Sequence, residues 1–306
     1  MIVHQDNSPL GSTESTVITM DDTGTHNSPL SERFNEKREY FGLVAATYDR
    51  ARPRYDRRSI ECILGQAQAR RRPLNSDPIT IVDVGCGTGI FTRQLAEALG
   101  DSGVVHGVEP TESLRLVAEA ASSPSNVRYI DGVAEHLCFE RETVDVITAA
   151  TSANWFDRPA FYAEARRVLR KTGVLALLMN KRLFAYNRFL FEYEIFLESI
   201  FPEYARGTHA NALGSFCCVN YLHELRSDNN VEYADFFSWQ WTQTVSPREF
   251  EELAVTNSVV QRAIEQHGEN TIIARLRALI NSHVDESGRL EIPFATELTV
   301  ASFKTP

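Results

Sequence analysis

The residues with the clearest chemical potential form one short stretch, Asp83, Val84, Gly85, Cys86, Gly87, Thr88 and Gly89. Glycines at alternate positions let the backbone approach a ligand with no Cβ in the way, and they tolerate positive φ. The run before them, Ile79 to Val84, is β-branched and apolar, as a buried strand is. The residues after them begin an amphipathic helix, whose first N–H groups have no partner within the helix. Twenty residues beyond Gly89, Glu109 and Pro110 close a second apolar run. A carboxylate at a strand end there can accept hydrogen bonds from both hydroxyls of a ribose. The pattern therefore predicts a nucleoside-bearing ligand lying across the tips of neighbouring strands.

The spacing narrows the nucleoside. A dinucleotide fold carries Gly-x-Gly-x-x-Gly, whereas here Ile90 holds the place of the last glycine, which falls one residue early. Asp-x-Gly-x-Gly-x-Gly is the form expected for S-adenosylmethionine, whose aminoacyl end has no pyrophosphate. Glu109 supports a ribose in either case. After the run 127–130, the segment from Asp131 to Leu137 should flank the adenine, because ligands of open α/β sheets lie outside the carboxyl ends of the strands. His136 is a tempting base, but beside the adenine it is on the wrong side of a transferable methyl.

These residues need a frame that brings strand ends together. Apolar runs at 79–84, 104–108, 127–130, 144–149 and 174–179 alternate with helical periodicity at 91–99, 113–121 and 159–169. That order predicts an α/β fold, Rossmann-like and doubly wound, with a mostly parallel sheet and helices on both faces. Residues 45–49 and 59–69 read as helices ahead of the sheet, and 31–41 as a short one. Residues 1–30, rich in Ser, Thr, Asp and Asn, cannot bury enough apolar surface to order themselves and are expected to be a disordered leader. The predicted organisation is that leader, a cofactor-binding core with N-terminal lid helices over 31–180, an inserted helical cap over 181–230, and a C-terminal part over 231–306. In the last part strands 231–244 and 291–303 complete the sheet, and 247–253 and 259–281 are helical.

Composition excludes several classes. The 306 residues carry a net charge of −10, so no nucleic acid is expected as partner, since phosphate backbones call for a basic face. The run Arg70-Arg71-Arg72 reads as a solvated helix end. Five cysteines occur with no Cys-x-x-Cys pair, which indicates reduced thiols and no metal site. No apolar run approaches the ~18 residues of a membrane span, and the N-terminus lacks a signal-peptide core. The expectation is a cytoplasmic protein, monomer or homodimer.

Four segments in order resemble the small-molecule, type 11 branch of class I S-adenosylmethionine-dependent methyltransferases. Residues 41–53, FGLVAATYDRARP, resemble that group's F…A..YD.ARP element; 82–89 its glycine loop; Ala134-Glu135-His136-Leu137 its AE.LP segment; and 145–157 its D.VTA…HWFD strand and loop. The resemblance implies that Tyr48 and Arg52 lie over the methionine end of the cofactor, with Arg52 pairing its carboxylate. It also implies that Asp83 and Gly85 hold the amino group, Glu109 the ribose, and Ala134 and Glu135 the adenine, and that Ala150 and Thr151 sit under the sulfonium. One departure stands out: Asn154 precedes Trp155 where the group usually has His. Asparagine is no base near neutral pH, so Asn154 and Trp155 are expected to position the substrate.

The expected reaction is methyl transfer to a small hydrophobic or aromatic acceptor, most simply at a carboxylate or hydroxyl oxygen. A carboxylate needs no base; a hydroxyl does. His209, His223, Glu192 and Glu194 are the candidates in the cap. The cap and the late strand are rich in aromatics, among them Phe189, Tyr193, Phe196, Trp239 and Trp241. Some of these are core, and the rest could line an apolar pocket. Two other readings are a protein that keeps the cofactor pocket without transferring methyl groups, and an RNA or protein methyltransferase. The acidic charge and the missing Asn/Asp-Pro-Pro-Tyr/Phe loop weigh against the latter.

Overall fold

The computed structural model describes residues 45–71, 77–211 and 215–304. The expected leader and the helix over 31–41 lie outside them. Strands β1 (Ile79–Val84), β2 (Gly103–Val108), β3 (Val127–Ile130), β4 (Val144–Ala150) and β5 (Leu169–Arg182) run parallel. After a small hairpin, β6 (His209–Ala210) and β7 (Phe216–Cys217), come β8 (Val231–Val245) and β9 (Leu290–Phe303). β9 is antiparallel to β5, and β8 is antiparallel to β9. The sheet order is β3-β2-β1-β4-β5-β9-β8, which makes the mostly parallel Rossmann-like sheet the sequence predicts.

Successive side chains of a strand point to opposite faces, and in β1 both faces are covered. Ile81 joins a core with Ile60 and Ile63 of α2 (Arg57–Arg70) and with Phe91 and Leu95 of α3 (Ile90–Leu99). On the other face Val82 and Val84 meet Phe161, Ala165 and Val168 of α5 (Arg158–Val168). α4 (Glu112–Ala120) follows β2. Ahead of the sheet, α1 (Ala45–Ala51) ends before Pro53, whose ring and missing N–H cannot continue it.

The helices of the segment 181–230 have different packing partners. α6 (Arg188–Ile200) packs its Phe189, Tyr193 and Leu197 against Phe250 of α8 (Pro247–Val255), Val260 of α9 (Ser258–His267) and Leu276 of α10 (Glu269–Asn281). The helical body is thus assembled from two stretches of sequence. α7 (Tyr221–Ser227) belongs instead to the main core, through Tyr221 and Leu225. The single helix expected over 259–281 is two, broken at Gly268 with φ 84°. β5 also outruns its expected end: Asn180, Lys181 and Arg182 look like a turn in sequence but pair with Thr296, Ala295 and Phe294 of β9. This carries the sheet past its parallel part and into the helical body, where Val245, Leu290, Ile292 and Phe294 join the same core.

Candidate active site

A cavity of about 870 Å³ opens at the carboxyl ends of β1, β2, β4 and β5. Its floor is the glycine loop. Gly85 has φ 65°, and a Cβ there would stand 2.7 Å from the Cβ of Ser152, so no larger residue fits. Gly87 has φ 57° with open space where its Cβ would be, room a ligand can occupy.

The amides of Gly85, Cys86, Gly87 and Gly89 are not free donors, contrary to the simplest picture of such a turn. Gly85 and Cys86 N–H both donate to the Val108 carbonyl, at 2.8 and 3.1 Å, and Gly89 N–H donates to Cys86 at 2.9 Å. Gly87 N–H donates to Glu109 Oε2 at 3.1 Å. A pyrophosphate would find few of its usual donors here. What the loop presents instead is acidic. Asp83 is buried, and accepts from the hydroxyls of Thr92 and Thr148 at 2.7 Å each. Burial raises its carboxyl to about 6, against the lowering effect of those two hydroxyls; Glu109 adds a smaller upward push. Glu109 also takes the Thr111 N–H at 2.9 Å through Oε1. Each of its oxygens has a further lone pair, enough for two ribose hydroxyls. These donor and acceptor sets fit the ammonium group and the ribose of S-adenosylmethionine.

The roof comes from α1. Tyr48 and Arg52 line the cavity, with the guanidinium 4.7 Å from the Tyr48 ring centre. Asp49, between them, receives a 2.6 Å bond from Arg93 of α3, whose other nitrogen holds the Thr88 carbonyl at 2.7 Å. Arg93 thereby ties the roof to the glycine loop. Arg52 Nη2 donates to the Thr256 carbonyl at 2.8 Å, while its Nε is buried without a partner.

Thr151, at the end of β4, sits at φ 56°, a costly conformation for a β-branched residue. Its N–H donates to Leu178 at 2.8 Å, and its hydroxyl lies 2.7 Å from Tyr55 Oη. Burial pushes the Tyr55 phenol far above its ordinary range, so it stays protonated. Ala150, Pro110 and Ala134 complete the apolar walls. Glu135 also lines the cavity, and its Oε1 accepts the Asp157 N–H at 2.9 Å.

Of the residues predicted from sequence, Gly89 lies just behind the lining as the N-cap of α3. Trp155 reaches the cavity, but Asn154 does not: it is buried and spends its amide on the Ala210 carbonyl at 2.6 Å. His136 and the four cap candidates lie outside the lining. Burial and the Lys181 and Arg182 cations hold His209 down to about 4. Glu192 pairs with Arg188 and His283, and Glu194 with Arg182 and Tyr204; His223 N–H donates to the Asn220 cap. Sequence reasoning missed Tyr55, Asn180, Arg182, Leu253 and Phe294, all in the lining. Only the polar run at the end of β5 hinted at Asn180 and Arg182.

Residues 82–177 match the model of the family described as "Methyltransferase domain". They form a class I, S-adenosylmethionine-dependent methyltransferase domain. A Dictyostelium discoideum protein named as a methyltransferase is 31% identical over 49% of this chain and 51% of its own length. A malonyl-[acyl-carrier protein] O-methyltransferase of Halalkalibacterium halodurans is 33% identical over 35% of this chain and 41% of its own. The chain thus spans about half the length of the curated relatives it matches. A solved methyltransferase structure from Anaeromyxobacter dehalogenans superposes with a TM-score of 0.56 at 20% identity, covering 83% of this chain and 97% of that one, a likeness of fold. Among the described residues no helix is long and apolar enough to cross a membrane, and no cluster of His, Cys, Asp and Glu is suited to a metal ion.

Proposed function

We propose that the whole chain transfers a methyl group from S-adenosylmethionine to a small hydrophobic or aromatic acceptor, at a carboxylate oxygen in preference to a hydroxyl. When bound, the cofactor supplies an electrophilic sulfonium methyl, which an acceptor oxygen takes with its own electron pair as the carbon–sulfur bond breaks. Asp83 and Gly85 hold the amino group, Tyr48 and Arg52 the methionine carboxylate, Glu109 the ribose, and Ala134 and Glu135 the adenine. Thr151, fixed by Tyr55, sets the floor under the reacting methyl. Trp155 and Phe294 shape an apolar chamber that excludes water and aligns the acceptor, and alignment alone is worth effective molarities of about 10⁵–10⁸ M.

The observation that carries the choice of carboxylate is the absence of histidine and lysine from the described lining. The carboxylates of the lining are already engaged, Asp83 with the Thr92 and Thr148 hydroxyls, Glu109 with the Gly87 and Thr111 amides, Glu135 with the Asp157 N–H and Asp157 with the Ala160 N–H, and an acceptor carboxylate has no proton to lose. The test is S-adenosylhomocysteine release, measured on matched pairs of acids and alcohols of the same skeleton. The acids should turn over and the alcohols lag by at least tenfold. Faster turnover of the alcohols, with a rate that rises through a single ionisation, would remove the carboxylate assignment.

A further inference from the structure

We infer that Arg182 anchors an anionic group, carboxylate or phosphate, at the far end of the acceptor from the atom that is methylated. This rests on the methyl-transfer reading above and adds what the acceptor must carry.

The carboxylates of the described lining are Asp83, Glu109 and Glu135, at the strand ends and loops proposed to hold the cofactor, and Asp157, whose side chain caps α5. Beyond β4 the lining changes to Asn180, Arg182, Leu253 and Phe294. Asn180 is occupied: it accepts from Thr296 Oγ1 at 2.6 Å and donates to the Arg54 carbonyl at 3.2 Å. Arg182 is the cation of this end, and it is held from behind. Its Nη2 meets Glu194 Oε1 at 3.0 Å, and the guanidinium lies 5.2 Å from the Tyr193 ring centre. Glu194 is itself fixed by a 2.6 Å bond from Tyr204 Oη and has only 3% of its side chain exposed. Glu194 is outside the lining, so the guanidinium and not the carboxylate meets the cavity. Arg182 Nε is sheltered from solvent without a hydrogen-bond partner, as is the Tyr193 hydroxyl beneath it. With 22% of the Arg182 side chain exposed, it is the terminal guanidinium nitrogens, and not the sheltered Nε, that a ligand oxygen can reach. A guanidinium fixed from one side and open on the other is built for a planar or tetrahedral oxyanion.

The register sets the spacing. Ala150 of β4 pairs with Leu178 of β5, and Arg182 lies four residues further along. Four strand residues span roughly 13 Å. The acceptor therefore reaches from the Thr151 level into the helical body, which favours an elongated acid with an apolar middle.

Calorimetry with S-adenosylhomocysteine-loaded protein tests this with linear dicarboxylates from hexanedioate to dodecanedioate, decyl phosphate, and decanediamide as the neutral match. At least one charged probe should bind tenfold or more tighter than the diamide. The dicarboxylate and phosphate arms tell which oxyanion the site takes. Removing Arg182 alone strands Glu194, so the informative variant is Arg182→Gln with Glu194→Gln, alongside Arg182→Lys. The double variant should weaken the charged probe about 10- to 100-fold, with Arg182→Lys intermediate and the affinity for S-adenosylhomocysteine unchanged. Equal binding of charged and neutral probes, no charged probe binding below 10 mM, or a double variant that still discriminates, overturns the inference. Arg182-dependent binding without methyl ester formation would leave the anchor standing and remove the methyl-transfer reading instead.

Discussion

The two halves of the cavity are built by opposite strategies. The cofactor half draws on short, contiguous stretches: the glycine loop, Glu109 with Pro110, Ala134 with Glu135, and Ala150 with Thr151. Each stretch follows a parallel strand, so the topology of the sheet places it. The half proposed for the acceptor collects single residues from distant segments, Asn180, Arg182, Leu253 and Phe294. They meet only because β5 and β9 run on together into a helical body made of α6 and α8–α10. A half written in contiguous motifs is fixed by its chemistry with one ligand. A half assembled by packing can be reshaped residue by residue without disturbing the other.

The largest effect expected from this division is on Glu109. Replacing it with Ala removes the two oxygens proposed to hold the ribose and leaves the Gly87 and Thr111 amides unpaired. At about 1.5–3 kcal/mol per hydrogen bond to a charged group, cofactor affinity measured by calorimetry should fall at least 100-fold. A smaller loss would mean that the ribose is held elsewhere.

Next in size is a pH effect at Asp83, whose carboxyl is raised to about 6 by burial. The free protein then holds Asp83 largely protonated at pH 5 and ionised at pH 7, and the cationic amino group of the cofactor prefers the ionised form. Affinity should therefore rise about tenfold from pH 5 to pH 7, with a proton released on binding at the lower pH. For folding the sign is reversed. The folded state keeps its proton to higher pH than the unfolded chain, so Asp83 costs stability as pH climbs from about 4 to 6. Asp83→Asn should flatten both dependences, and a pH-independent affinity in the unmodified protein would separate Asp83 from the amino group.

The same division explains what could be read from the sequence. Strands β1 and β3 fall on their predicted ends, because their apolar runs stop at residues of a different kind. The glycine loop and its acid were legible since spacing alone defines them. Arg182 was not: Asn180-Lys181-Arg182 has the polarity of a turn, and only pairing with Thr296, Ala295 and Phe294 makes it strand. Nor was the joint helical body, because Phe189 and Phe250, whose rings meet edge to face at 4.7 Å, are sixty-one positions apart. Helical periodicity shows that each helix has an apolar face and says nothing of which faces meet. Gly268, inside an unbroken helical pattern, gave no sign that its positive φ would split the helix.

A smaller effect should follow from loosening the roof. Asp49→Asn weakens the bond from Arg93 that ties α1 to the glycine loop, while Arg50 still reaches Glu252 at 3.1 Å and Arg52 the Thr256 carbonyl. With α1 still attached to α8, cofactor affinity should drop only about two- to fivefold, within the ~1 kcal/mol of a partly exposed ion pair. Thermal stability should change little. A large fall in melting temperature would show that Arg93 and Asp49 support the core and not merely the roof.

The smallest effect is expected at Asn154. Its amide donates to Ala210 and so ties the loop after β4 to the β6–β7 hairpin; its Oδ1 is buried with no partner. A histidine at this position can give the same carbonyl a ring N–H, so Asn154→His should keep turnover within about threefold and leave the pH–rate profile unchanged. Asn154→Ala, which lacks any donor, should lose the tie to the hairpin and raise the acceptor KM more than it lowers kcat. If instead Asn154→His introduces a limb near the ordinary histidine pKa of about 6.5, the side chain has turned into the cavity. The loop after β4 would then belong to the adaptable half of the site, and Trp155, its neighbour, would be the residue that marks the border between the two.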